Sequence, residues 1–97
     1  MKLSDIQINI FQLNLLLEKD QKEFYDQVIA NNVFCANCGG QCPKGITVTE
    51  ILLNSRNDIL VNGTCNECSG KVARYIEFGE DEAFYKKAMN FRKSMQK

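Results

Sequence analysis

The chain has 97 residues, of which 44% are hydrophobic and 25% charged, and its 12 Lys and Arg residues balance 12 Asp and Glu residues. This size and composition predict one folded unit and exclude wholesale disorder. The zero net charge also lacks the surplus of Lys and Arg with which a dedicated nucleic-acid-binding protein neutralises phosphates.

The first residues show no targeting or membrane-spanning pattern. The longest apolar run there is Leu15-Leu16-Leu17, whereas about 20 apolar residues are needed to cross a bilayer. We therefore expect the protein in a reducing cytoplasm. In that compartment its five cysteines are predicted to be metal ligands and one spare thiol rather than disulfides.

Residues 4–30 are predicted to form one long helix that ends at Asn31-Asn32. Ser4 followed by Gln7 is typical of a capping box. A stripe of apolar residues then recurs with helical periodicity; it comprises Ile6, Ile10, Leu13, Leu17, Phe24 and Val28. A strand is the alternative near the start, because isoleucines alternate with polar residues over 6–10.

The same helix shows apolar residues on two sides. One series is spaced by seven and consists of Leu3, Ile10, Leu17 and Phe24. It indicates either a helical dimer seam or packing against the rest of the chain. A second set lies on nearly the opposite side and consists of Ile8, Phe11, Leu15 and Ile29. Two apolar sides need more than one partner surface, so we expect a protein partner or self-association through the N-terminal helix.

Three strands are predicted in the middle of the chain. Residues 46–53 are rich in β-branched side chains, 54–58 form a cluster of turn-favouring residues, and a return strand starts at 59–61. Residues 71–78 alternate and predict the third strand. The candidates for its inner face are Val72, Ile76 and either Ala73 or Tyr75.

Residues 80–95 are predicted to form a second helix. Acidic residues stand at its start and basic residues near its end, as the helix dipole favours. Its apolar stripe, which we expect to pack on the N-terminal helix, consists of Phe84, Ala88, Phe91 and Met95. The predicted fold is therefore α+β, a three-stranded antiparallel sheet flanked by two helices. It divides into an N-terminal helix (1–32), a ribbon (33–79) and a C-terminal helix (80–97) that pack as one compact unit.

Two Cys-x-x-Cys pairs, Cys35/Cys38 and Cys65/Cys68, are separated by residues 39–64 in a chain that has no histidine. Each pair presents two sulfurs from one tight turn, and the intervening segment is long enough to form a hairpin. Four thiolates in a tetrahedral arrangement select Zn²⁺ or iron. Gly39 and Gly70 would tolerate the positive φ of such turns.

These two pairs and their flanking residues resemble the knuckles of the zinc-ribbon superfamily. The resemblance covers 33–78, and Asn62–Tyr75 is similar to small bacterial zinc-ribbon proteins in which a knuckle leads into a closing strand. It implies one structural Zn²⁺ per chain. Rubredoxins differ by a proline in the second knuckle and a Trp-containing core. Transcript-cleavage ribbons differ by an adjacent Asp-Glu at the hairpin tip, where this chain has Asp58 alone.

The fifth cysteine, Cys42, leaves three interpretations open. It could be a spare thiol, it could exchange with a ligand thiolate as a redox switch, or it could replace Cys35 or Cys38 as a ligand. The two matched spacings favour the spare thiol.

Four thiolates close the coordination sphere of zinc, and the chain has no histidine base and no evident nucleophile constellation. We therefore expect a non-enzymatic zinc protein without a small-molecule substrate, which serves as a protein-interaction or adaptor module. Nucleic-acid binding is the alternative, with Tyr75 as a stacking ring. Its candidate basic contacts are Lys44, Arg56, Lys71, Arg74, Lys86, Lys87, Arg92, Lys93 and Lys97. An electron carrier of rubredoxin type fits less well, because of the differences given above.

Overall fold

A computed structural model describes residues 3–95 as a mixed α and β fold, in which three helices pack with a four-stranded antiparallel sheet. A separate two-stranded sheet carries the first cysteine. The elements in chain order are β1 (Ile6–Ile8), α1 (Ile10–Leu16), α2 (Lys19–Asn31), β2 (Phe34–Cys35), β3 (Gly40–Gln41), β4 (Ile46–Leu53), β5 (Ile59–Cys65), β6 (Lys71–Ile76), a 3₁₀ turn (Phe78–Glu80) and α3 (Glu82–Met95). Within 3–95, no helix has the length and apolar character needed to cross a membrane.

The larger sheet has the strand order β1-β4-β5-β6, so the prediction of three strands is wrong by one. The predicted strand over 46–53 is confirmed, and the return strand extends as far as Cys65. The third predicted strand ends at Ile76 rather than at residue 78. The additional strand comes from the N-terminal segment, for which the sequence predicts helix.

The prediction of one helix over residues 4–30 is wrong, and the strand alternative is correct for its first part. Strand β1 pairs with β4, so that Ile8 lies opposite Ile51. The helix begins only after Asn9, whose Oδ1 accepts a hydrogen bond of 2.8 Å from the Gln12 amide. Gln12 Oε1 accepts in return from the Asn9 amide at 2.9 Å. The capping box therefore forms five residues later than the sequence predicts, because β1 gains a sheet partner that local periodicity does not show.

A second break separates α1 from α2. The backbone of both Leu17 and Glu18 is extended, and the Glu18 amide donates to Gln21 Oε1 at 2.8 Å to start α2. A continuous seam of residues spaced by seven therefore does not exist. Leu17 is buried, whereas the side chains of Ile10 and Phe24 are 44% and 50% exposed.

One apolar core joins the helices to one face of the sheet. Its fully buried members include Leu13 of α1, Leu53 of β4 and Phe84 of α3. Each such side chain contributes about 1.5–3 kcal/mol to folding. The predicted contact between the C-terminal helix and the N-terminal segment is present, because α3 packs against α1. Phe84, Ala88 and Phe91 of the predicted stripe join the core, whereas Met95 is 44% exposed. A smaller cluster lies at the cysteine end and consists of Val33, Cys35, Cys42, Cys65 and Val72.

The predicted turn over 54–58 is confirmed and connects β4 to β5. Asn54 Oδ1 accepts from the amides of Arg56 and Asp58 at 2.9 and 3.0 Å. Asn57 takes a φ of 60° and is completely buried. Asparagine is among the few non-glycine residues that adopt this conformation readily, which explains its place in the turn.

Candidate metal centre

Two turns of similar form present the four cysteines. Cys35 ends β2 and Cys38 lies in the turn to β3, while Cys65 ends β5 and Cys68 lies in the turn to β6. The Gly39 amide donates to the Cys35 carbonyl at 3.0 Å, which closes the first turn. In the second turn, the Ser69 amide donates to the Cys65 carbonyl at 2.8 Å. Each turn thus brings the two sulfurs of its own pair to the same side.

The fold brings the two pairs together. The Sγ atoms of the four cysteines all lie within 4.8 Å of one another. The Sγ atoms of Cys35 and Cys68 are 3.5 Å apart, and those of Cys38 and Cys65 are 3.8 Å apart. Cys35 and Cys65 are buried, whereas Cys38 and Cys68 are exposed. The cluster could hold one metal ion at the edge of the protein, with two ligands beneath it and two facing solvent.

Backbone amides of the turns stabilise negative charge on the first sulfur of each pair. The Cys68 amide, followed by that of Glu67, lowers the pKa of Cys65 to about 6. The Cys38 amide similarly lowers the pKa of Cys35. Desolvation and hydrogen bonds among the thiols raise the pKa of Cys38. The turns therefore shift two of the four groups toward the thiolate, which is the form that binds metal ions.

A positive φ is expected for both Gly39 and Gly70, and it is found only at Gly39. Gly39 has a φ of 75°, as expected for the residue that follows the second cysteine. In the other turn, the equivalent position is Ser69, with a φ of 63°. Gly70 has no positive φ, and a Cβ there would lie 2.5 Å from Asn37 Nδ2, which would have to move, and 3.3 Å from Cys68 Sγ. Its amide donates to the same sulfur at 3.4 Å.

Asn66 is a supporting residue that the sequence analysis missed. Its Nδ2 donates to the Lys44 carbonyl at 3.0 Å, and its Oδ1 accepts from Thr47 Oγ1 at 2.7 Å. Its own amide donates to the Gly45 carbonyl at 3.1 Å. These bonds fix the second turn against the start of β4. An asparagine between two cysteines is the only sequence signal, and it does not identify partners some 20 residues away.

Cys42 lies outside the group of four and directly behind it. Its side chain is 6% exposed and packs with Cys35, Cys65 and the aliphatic residues of the small cluster. Burial raises the pKa of this thiol to about 11. A protonated, buried thiol fits the interpretation as a spare thiol better than that of a ligand.

Several of the candidate nucleic-acid contacts are buried or lie beside carboxylates. Lys44 forms an ion pair with Glu67 at 3.2 Å, and Arg92 is buried. Arg56 lines a cavity that also contains three carboxylates, those of Asp5, Asp58 and Glu77. Tyr75 is 59% exposed, as a stacking ring would have to be. Lys97 lies outside the described residues.

Comparisons of the chain with protein-family models, with curated proteins and with solved structures found no match.

Proposed function

We propose that the chain is a zinc-binding protein in which Cys35, Cys38, Cys65 and Cys68 hold one structural Zn²⁺. The observation that carries this proposal is the convergence of four sulfurs within 4.8 Å. Tetrahedral zinc with bonds of about 2.3 Å separates its sulfur ligands by about 3.8 Å. The two cross-turn separations, 3.5 and 3.8 Å, lie close to that value.

A stabilising role follows from the donor set and its place in the fold. Four thiolates leave no coordination position for water or substrate, which supports a non-enzymatic role. The ligands connect the small β2–β3 sheet to the ends of β5 and β6. Few apolar residues pack at this end, so metal binding, on the order of 10 kcal/mol at neutral pH, is expected to supply much of its stability.

Metal analysis of the purified chain tests the zinc proposal. We expect one zinc per chain and colourless protein, whereas iron would give colour. Replacing Cys35 or Cys68 by serine should abolish stoichiometric zinc, because three thiolates bind much more weakly than four. Cys42→Ala is the matched control and should retain one zinc. Loss of zinc in that variant, or retention in both ligand variants, would contradict the assignment.

We further propose that the protein acts through binding another protein rather than through chemistry. Helix α1 contains no charged residue, and its Phe11 and Leu15 side chains, one turn apart, are both 77% exposed. Two large apolar side chains on an uncharged surface helix are typical of an interaction site. This surface replaces the predicted long helical seam, which the break at Leu17 removes.

Light scattering on the zinc-loaded chain tests α1 as a self-association surface. If copies associate through α1, the double variant Phe11→Ser with Leu15→Ser should shift the mass toward the monomer. Tyr75→Ser, an exposed aromatic on another surface, should leave the mass unchanged. A monomer at all concentrations would exclude self-association and leave a different protein as the partner of α1.

A further inference from the structure

One edge of β4 is open along most of its length. Strand β1 covers only Ile51–Leu53 on that side. Within the described residues 3–95, no strand pairs with Ile46–Glu50 on the side away from β5. Backbone N–H and C=O groups along such an edge can pair with another extended chain. The open edge is five residues long, or about 17 Å.

A groove runs beside this open edge. Two adjoining cavities of about 400 and 370 Å³ share Tyr25 and Val48. Helix α2 forms the opposite wall through Tyr25, Asp26 and Ile29. The groove therefore combines hydrogen-bonding backbone on one side with apolar side chains on the other, which is the composition that accommodates a peptide strand.

A bulge in β4 brings Val48 into this groove. The register shifts between Val48 and Glu50, so the residues that face the helices change from Ile51 and Leu53 to Ile46 and Val48. Val48 lies opposite Gly63, which has no side chain to cover it, and it is 36% exposed. An apolar side chain with this position and exposure is available to contact a bound chain.

The shape of the groove favours a single strand over a second copy of the protein. At one end, Gly45 approaches the Ala30 carbonyl of α2, with 3.5 Å between that oxygen and an ideal Cβ at the glycine. At the other end, Asn9 and Ile10 line the groove. Pairing of two β4 edges would bring a whole second sheet to this position, where α2 stands. An isolated extended segment avoids that obstruction.

The charge of the groove indicates what the segment carries. Asp26 and Glu50 line it, and neither forms an ion pair with any residue in 3–95. Glu50 Oε1 accepts a hydrogen bond of 2.9 Å from Asn62 Nδ2, which leaves its negative charge in place. Lys44 also lines it but is paired with Glu67. The groove therefore carries two carboxylates that no cation within 3–95 neutralises, which favours a basic side chain on the bound segment.

We propose that this groove binds an extended segment of a partner protein, which adds as a strand to the open edge of β4. The segment carries small aliphatic side chains at alternate positions and at least one Lys or Arg. This binding surface meets α1 only at Ile10 and does not include Phe11 or Leu15. It requires neither self-association nor a particular metal in the cysteine cluster.

Selection from a displayed library of random peptides of about ten residues, on the zinc-loaded chain, tests the proposal. We expect enriched peptides that alternate aliphatic residues and contain Lys or Arg. When a synthesised peptide is added to ¹⁵N-labelled protein, amides over 46–50 should shift and their exchange should slow by about tenfold or more. Failure to enrich any peptide, or shifts confined to α1 or to the outer sheet face, would overturn the proposal.

Two modifications separate strand addition from nonspecific adhesion. Val48→Lys places a long charged side chain in the groove and should weaken binding at least about tenfold. Ala73→Lys makes the same charge change on an exposed position of β6 and should not. If Val48→Lys fails to fold, methylation of alternate backbone nitrogens of the peptide decides the question. This change should abolish binding, because it removes main-chain donors, and unchanged affinity would contradict strand addition.

Discussion

The buried guanidinium of Arg92 donates a hydrogen bond of 2.7 Å from Nε to Asn57 Oδ1, which joins helix α3 to the turn between β4 and β5. Its Nη1 donates to the Ser4 carbonyl at 2.6 Å, and its Nη2 donates to the carbonyls of Leu53 and Asn54. Burial lowers the pKa of this arginine, although a guanidinium remains charged at all ordinary pH values. One side chain thus connects α3, the turn and the segment before β1.

We expect Arg92→Met to destabilise the zinc-loaded protein by about 2–4 kcal/mol. Methionine preserves most of the apolar stem but leaves Asn57 Oδ1 and buried carbonyls without a donor. Urea denaturation followed by circular dichroism measures the effect. Lys86→Met is the control, because Lys86 is exposed and only pairs with Glu82 at 3.7 Å, and a change within about 0.5 kcal/mol is expected there. Equal effects of the two substitutions would show that the Arg92 network does not contribute to stability.

Gly39 and Gly40 form a matched pair for testing the first cysteine turn. A Cβ at either position would meet no atom within 4 Å, but only Gly39 has a positive φ, at 75°. Gly39→Ala should therefore lower the free energy of unfolding by about 1–2 kcal/mol through backbone strain. Gly40→Ala should change it by less than about 1 kcal/mol, with a slight gain expected from reduced freedom of the unfolded chain. A larger loss for Gly40→Ala than for Gly39→Ala would contradict this conformation of the turn.

Metal removal should loosen the cysteine end of the protein before the core that the sheet shares with the helices. Strands β4 and β5 contribute Leu53 and Val61 to the core shared with the helices, so this part of the hairpin does not depend on the metal alone. Hydrogen exchange after chelation should therefore lose protection first at β2, β3 and the two cysteine turns. Amides near Leu53 and Val61 should stay protected longer. Simultaneous loss at both ends would mean that the metal supports the entire fold, and unchanged exchange would contradict a structural metal.

The ion pair of Glu18 with Lys87 links the start of α2 to α3 and has a pH signature. The Lys87 hydrogen bond, followed by its charge, lowers the pKa of Glu18. The pair therefore contributes stability that is fully present above the unfolded pKa and is lost as pH falls through the lower folded pKa. NMR titration of the Glu18 carboxyl should show the pKa rising in Lys87→Met. The pKa of Glu18 should stay unchanged in Lys86→Met. An equal rise in both variants would contradict the ion pair between Glu18 and Lys87.

The cysteine cluster could be predicted as a set from residue spacing. Two Cys-x-x-Cys turns each place their sulfurs together by local geometry, so the sequence identifies Cys35, Cys38, Cys65 and Cys68 without knowledge of the fold. The supporting contacts could not be predicted in this way. Asn66 contacts Lys44 and Thr47 only because the second turn folds onto the start of β4. Such contacts depend on how strands align, which spacing does not reveal.

The N-terminal segment shows where periodicity is insufficient. Ile6, Ile8 and Ile10 fit an alternating pattern, while Leu13 and Leu17 fit a helical one. Both patterns are real, and the chain uses them in succession, as β1 and then α1. The prediction of one long helix extended the helical pattern backward over the shorter alternating pattern. A three-residue strand is stable only because β4 offers it an edge, and this tertiary contact outweighs local preference.

The four clustered thiols, the β4–β5 hairpin with its turn, and the C-terminal helix could all be predicted from the sequence. Each is indicated by a local pattern. The spacing within each cysteine pair indicates the thiols, β-branched residues flanking turn-favouring residues indicate the hairpin, and charges at the two ends of a periodic segment indicate the helix. Long-range packing was needed to establish that the N-terminal segment supplies a strand, that Arg92 is buried rather than solvated, and that α1 exposes Phe11 and Leu15. The same holds for the open edge of β4 beside α2. These features depend on which surfaces meet across long stretches of chain, where burial and hydrogen bonding to distant partners outweigh local propensity.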